Sequence, residues 1–203
     1  MAEPTGEPWG SLTRVRELSE RGLSRAAESL GRLLGSPVRL TLREVRHLPS
    51  RNVPALVEHG DSSPGIGLTV RIQGQGGGWI FIVFPLHAVY RLLQVLMRTP
   101  VEARDLTGLE LSAVQEVGNL LASSFLSELG DRLGRRLIPS APEIHLTNVS
   151  RVVRDMLSSH HALDAEVLVV QARLEDAESN IEGRFFVVPE VRALEPTTGA
   201  AGG

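Results

Sequence analysis

Leu12, Val15, Leu18, Leu23, Ala26, Ala27, Leu30 and Leu34 recur mostly three or four residues apart, and polar residues fill the gaps. That spacing predicts an amphipathic helix over Ser11–Leu34, and Gly35, Ser36 and Pro37 end it. Val38 to Leu48 alternates as a strand. Pro49 to Gly65 holds three prolines, three serines and two glycines, and reads as a loop with little regular structure. Ile66 to Ile72 alternates again, Gly74 to Gly78 is a turn, and Trp79 to Phe84 is an almost unbroken apolar strand, so the two form a hairpin. Pro85 then opens a helix that runs to about Met97.

The second half follows the same order. A helix is expected from about Leu109 to Arg135, a strand near Glu143–Thr147, a short helix near Val149–Leu157, and a hairpin from Ala165–Leu174 and Gly183–Val188 that ends at Pro189. Glu17 and Glu116 lie 99 residues apart, as do Val70 and Val169, while Pro85 and Pro189 lie 104 apart. The extra five residues are expected in a longer hairpin turn around Glu175–Asn180. A shared offset across a helix and a strand points to two copies of one unit. The organisation expected is a disordered segment 1–10, one domain over 11–190 made of repeats at about 11–100 and 105–190, and a flexible tail over 191–203. The fold class is mixed α/β (α+β), with pseudo-twofold halves sharing one antiparallel-rich sheet packed against long helices.

Composition narrows what such a domain can do. The 203 residues are 42% apolar and 22% charged, with a formal net charge of -3, so no basic field is available to hold nucleic acid or anionic lipid. Cysteine is absent, which removes disulfides, thiolate metal sites and cysteine nucleophiles and fits a cytoplasmic setting. No apolar run reaches the roughly 18 residues needed to span a bilayer, and the acidic, proline-containing start is no signal peptide. Of the six histidines, His160 stands four residues before Asp164, and no second histidine joins them at that spacing, so no metal site is expected. Gly74, Gly76, Gly77 and Gly78 lack the helix and Lys-Ser/Thr of a phosphate loop, and no Gly-x-Ser-x-Gly elbow occurs.

Chemistry concentrates on the helix near Leu109. Ser112, Glu116 and Asn119 fall at about 0°, 40° and 340° around its axis, on one narrow face, while Val114, Val117, Leu121 and Phe125 point the other way. By itself this is the polar face of any surface helix. Ser112, Glu116, Asn119 and Pro142 also match, at every spacing, the phosphatase motif of the CheC, CheX and FliY group: Asp or Ser, three residues, Glu, two residues, Asn, 22 residues, Pro. The words LSAVQEVGNLLASSFLSELGDRL and PSAPEI, with SLGRLLGSPVRLTLREVRHLP in the first half, extend the likeness over about residues 11–190. The chain therefore resembles the CheC family, whose members hydrolyse the aspartyl phosphate of a chemotaxis response regulator.

The resemblance implies a CheC-like fold and a protein phosphatase acting on a phosphorylated CheY-type regulator. Asn119 would enter the partner's site and orient the attacking water, Glu116 would pair with the partner's active-site lysine, and Ser112 and Pro142 would support them. An amide suits that task because it both accepts and donates hydrogen bonds and stays neutral beside a phosphoryl group. The chain needs no cofactor of its own, and Mg2+ would be held by the partner. Subtracting 99 places Thr13, Glu17, Glu20 and Arg43 at the matching positions of the first copy. There the amide has become a carboxylate and the proline an arginine, so this duplicate site is degenerate and one working site is expected. Two other readings stay open: a non-catalytic module that docks the phosphorylated regulator, and a regulator of CheD, a receptor glutamine deamidase that the family binds.

Overall fold

The computed structural model describes residues 12–58, 65–101, 105–146, 149–160, 165–176, 178 and 180–190. The segments expected to be a disordered start (1–10) and a flexible tail (191–203) lie outside these residues. Among these residues, five α-helices and seven strands follow in the order α1 (Leu12–Leu34), β1 (Val38–Pro49), α2 (Val53–Glu58), β2 (Gly65–Gly74), β3 (Gly78–Pro85), α3 (Leu86–Met97), α4 (Gly108–Leu133), β4 (Leu137–Pro139), β5 (Glu143–His145), α5 (Val149–His160), β6 (Glu166–Asp176) and β7 (Ile181–Pro189). The strands form one antiparallel sheet in the order β1-β6-β7-β3-β2-β4, with β5 on the same edge of β2 as β4. The expected mixed α/β class, with an antiparallel sheet and long helices, is what the chain adopts.

Both faces of this sheet are covered, which explains why its central strands read as continuous apolar runs. Along β3 the period-two pleat sends Ile80, Ile82 and Phe84 to one side and Phe81 and Val83 to the other. The first side packs against α1, α3 and α4 through Leu23, Leu30, Leu92, Leu121 and Phe125. The second is closed by α2 and α5 through Val53, Val57, Val153 and Leu157. No helix among the described residues is long and apolar enough to cross a membrane.

The strands pair across the two halves of the sequence. β1 of the first half lies on β6, β4 and β5 of the second lie on β2, and β3 meets β7 in the middle, with Phe81 opposite Phe186. Neither half therefore completes its own sheet, because each lends its first strand to the other's hairpin.

Three expectations need correction. The stretch read as an irregular loop begins with a 3-10 turn at Ser50–Asn52 and the helix α2. Proline at the second position of α2 needs no N–H, so Pro54 favours a helix start there, and Val53 and Val57 are buried. Strand β4, only three residues long, was not foreseen. The second hairpin turn is also not longer: β6 and β7 pair as far as Asp176 and Ile181, leaving 177–180, whereas β2 and β3 are last paired at Arg71 and Trp79. The extra residues of the second half therefore lie before β6.

Candidate functional site

Helix α4 is fixed firmly at both ends. Thr107 caps it: its backbone N–H and Oγ1–H donate to Glu110 Oε2 at 2.7 and 2.9 Å, and Glu110 N–H donates back to Thr107 Oγ1 at 3.3 Å. Gly134, with φ of 63°, ends the helix in the left-handed conformation that glycine adopts without penalty. Between these ends the expected stripe of Val114, Val117, Leu121 and Phe125 is buried to within 1%. Their burial turns the opposite face outward, leaving Ser112 and Glu116 exposed and Asn119 half-buried at the surface. The Ser112 hydroxyl donates to the Gly108 carbonyl at 2.9 Å, tying that side chain to its own helix. Among the described residues, no hydrogen bond or ion pair engages Glu116 or Asn119.

Pro142 comes to this ridge through a defect in the sheet edge. Pro139 pairs with Ile72, and Ser140 extends the ladder: its N–H donates to the Arg71 carbonyl at 2.9 Å, and the Arg71 N–H donates to Ser140 Oγ at 2.9 Å. Pairing resumes with Glu143 opposite Thr69. Three steps along β2 therefore face four along the partner, a β-bulge of one residue. Proline has no N–H to give a ladder, so a bulge on an edge is where it fits. Pro142 is buried there, and its carbonyl accepts from Gln115 Nε2 at 3.1 Å. The motif's distant proline is thus bound to the helix one turn ahead of Asn119.

The positions matched in the first copy occupy a comparable frame. Thr13, Glu17 and Glu20 are all exposed on α1, which packs beside α4. In β1 the register also shifts by one residue, between Leu42 and Glu44, and Arg43 sits at that bulge with its side chain exposed. The matched set thus lies on two neighbouring helix faces, each with a bulged edge strand behind it.

Two features of the site escaped sequence reasoning. Gln115 falls at about 300° on the helix, next to Asn119, yet a lone glutamine on a polar face gives no signal of its reach to Pro142. The second feature, the Thr107-x-x-Glu110 capping box, carries a Thr-x-x-Glu spacing that could have marked the helix start. On the far side of the bulge, His145 Nε2 lies 3.0 Å from Thr69 Oγ1. Burial pushes the His145 imidazole below its ordinary 6.5, and the nearby Glu143 carboxylate partly opposes that shift.

Residues 109–146, the segment that runs from the start of α4 through β5, match the CheC-like family model. Over 187 residues the chain is 25% identical to the protein named CheC1 of Halobacterium salinarum, spanning 90% of this chain and 92% of that one. It is 24% identical over 188 residues to the CheY-P phosphatase CheC of Bacillus subtilis, spanning 89% and 88%. Its fold is shared with FliY of Thermotoga maritima, at a TM-score of 0.72 and 21% identity over 96% of this chain and 94% of that one. It is shared too with the structure of a CheX-CheY-BeF3-Mg2+ complex from Borrelia burgdorferi, at a TM-score of 0.56 and 15% identity over 84% and 96%. The segment that carries the motif, relatives matched over nearly the whole length and the fold all agree with the resemblance to the CheC family read from the sequence.

Proposed function

We propose that the chain is a cytoplasmic phosphatase that removes the aspartyl phosphate of a CheY-type receiver. Support comes from a curated relative named for that activity, from the complex of a fold relative with CheY, and from the site itself. The observation that carries the reading is that Glu116 and Asn119 stand together, unengaged by any described residue, on a rigid ridge.

An aspartyl phosphate is activated already, so the reaction needs a water placed in line with the P–O bond to aspartate. The water attacks phosphorus, that bond breaks, and inorganic phosphate and the free aspartate result. Asn119 supplies a carbonyl oxygen that accepts from the water and an amide N–H that donates to a phosphoryl oxygen. Mounted on a helix whose opposite stripe is buried, it needs little reorganisation when it enters the receiver's pocket. Glu116 pairs with the receiver's active-site lysine and sets the docking register, while Mg2+ stays with the receiver. Ser112 and the Pro142 bulge frame the ridge. The Thr13/Glu17/Glu20/Arg43 face does no hydrolysis, because Glu20 would bring a negative charge to the phosphoryl oxygens.

Phosphate release from a phosphorylated CheY-type receiver, with wild type and with Asn119→Ala, tests the reading. Acceleration by wild type that the variant loses supports it. Equal rates would remove the catalytic reading and leave a module that only docks the receiver.

A further inference from the structure

We propose that Gln115 is a positioning residue: its carboxamide clamps the β4–β5 bulge to helix α4 and so sets how far Asn119 stands clear of its surroundings. The inference rests on the phosphatase reading of Asn119 and extends it to a residue outside the motif.

Ser140, Ala141 and Pro142 leave the sheet between the two short strands, and a bulge at an edge is free to bend. On the β2 side the segment is held by the reciprocal Ser140 and Arg71 bonds. The Ser140 hydroxyl also donates to its neighbour's Ala141 carbonyl at 3.1 Å, which stiffens the turn locally but attaches it to nothing else. Toward α4, the bond that reaches it is Gln115 Nε2 to the Pro142 carbonyl. Gln115 lies one helical turn before Asn119 and beside it around the axis, so its bond holds the Pro142 carbonyl on the side of the helix that carries the amide.

The chemistry of the pair is specific. A proline carbonyl can only accept, and glutamine presents it with a donor at the end of a three-carbon reach. Glutamate at 115 would face that carbonyl with a second acceptor. Among the described residues no hydrogen bond joins Arg16 to Arg43, which stand in the first copy where Gln115 and Pro142 do in the second. Glu116, the docking anchor, is left untouched by the clamp, so its loss should slow turnover and spare binding.

The test uses the full chain with Gln115→Met, which keeps length and removes the donor, and Gln115→Glu, which keeps shape and inverts it. Hydrogen exchange at the Ala141 and Glu143 amides of the free protein reads the clamp. Steady-state turnover on phosphorylated receiver reads the positioning. Both variants should exchange faster at those amides and lose about fivefold in kcat, the size of one neutral hydrogen bond, with KM within about twofold of wild type. Unchanged exchange overturns the clamp. Faster exchange with unchanged kcat overturns the positioning role, and so does a raised KM at constant kcat, which would mean that Gln115 touches the receiver. If wild type and Asn119→Ala do not differ in turnover, the phosphatase reading itself has failed, and the exchange result still decides whether the clamp exists.

Discussion

Helices α1 and α4 pack side by side on one face of the sheet, each turning a polar row outward and each with a bulged edge strand behind it. Their frames are alike and their charges are not. On α4 the row carries one carboxylate, Glu116, followed by the neutral Asn119; on α1 the same spacing carries two carboxylates, Glu17 and Glu20. The bulge beside α4 holds a buried proline, whereas the one beside α1 holds an exposed arginine. Backbone geometry alone therefore cannot decide which face hydrolyses a phosphate. On the proposed reading the side chain at one position decides it, because a carboxylate approaching a phosphoryl group meets like charge, and an amide does not.

The sharpest way to break this comparison is to truncate both positions. Asn119→Ala should lower receiver dephosphorylation about 10²-fold, the typical cost of losing one well-aimed group at a developing charge. Glu20→Ala should leave the rate within about twofold. Single-turnover phosphate release measures both, and equal losses would mean that both ridges work.

The two ridges were legible in the sequence for a physical reason. The 3.6-residue period that buries Val114, Val117, Leu121 and Phe125 dictates what the opposite face must expose, so Ser112, Glu116 and Asn119 could be placed without coordinates. The strand exchange was not legible. Whether β1 lies on its own hairpin or on that of the second half depends on contacts more than a hundred residues apart, such as Val45 with Val170, and local pattern carries no such information. Helix α2 was hidden for the opposite reason. Its six residues are too few for a period, and the prolines around it read as a loop.

The seam between the helices offers the next test. A Cβ on Gly22 of α1 would come within 2.7 Å of the Phe125 ring on α4, and that ring is itself packed 5.4 Å from Phe185. Gly22→Ala should cost about 1–3 kcal/mol as the overpacked seam opens. Gly108→Ala, at the start of α4, meets nothing within 4 Å and should be neutral or stabilising by up to about 1 kcal/mol. Urea unfolding of both variants measures the contrast. Similar stabilities would mean that the seam yields easily and that the two ridges are not rigidly spaced.

A smaller effect comes from the cap. Thr107→Ala removes the acceptor for the Glu110 N–H and leaves the buried Glu110 carboxylate without the hydroxyl donor. The loss should be about 1 kcal/mol in the same urea experiment. Because Ser112 is bonded to Gly108 in that first turn, fraying should also speed exchange of the early α4 amides. A helix that keeps its protection without Thr107 would show that its burial against the sheet, rather than the cap, holds the α4 ridge straight.

The smallest predicted effect separates the two edge strands themselves. In β1, Arg46 faces Glu44 across 3.3 Å, two residues apart; at the same spacing in β5, His145 accompanies Glu143. A histidine can change its charge between about pH 5 and 8, so the β5 pair can respond to pH. Burial is the larger influence on His145 and lowers its value, so the folded protein favours the neutral ring more than the unfolded chain does. In the window below 6.5 the unfolded state then binds more protons, and stability must rise with pH there. The contribution is present in full above 6.5 and is lost as pH falls through the folded value. Urea midpoints taken at about pH 5 and about pH 7.5 should differ more in wild type than in His145→Gln, which replaces the ring with a group that does not titrate. Glu143→Gln should widen the wild-type difference, since it removes the one influence that raises the His145 value. An unchanged difference in both variants would assign the acid sensitivity to groups other than the His145 and Glu143 pair.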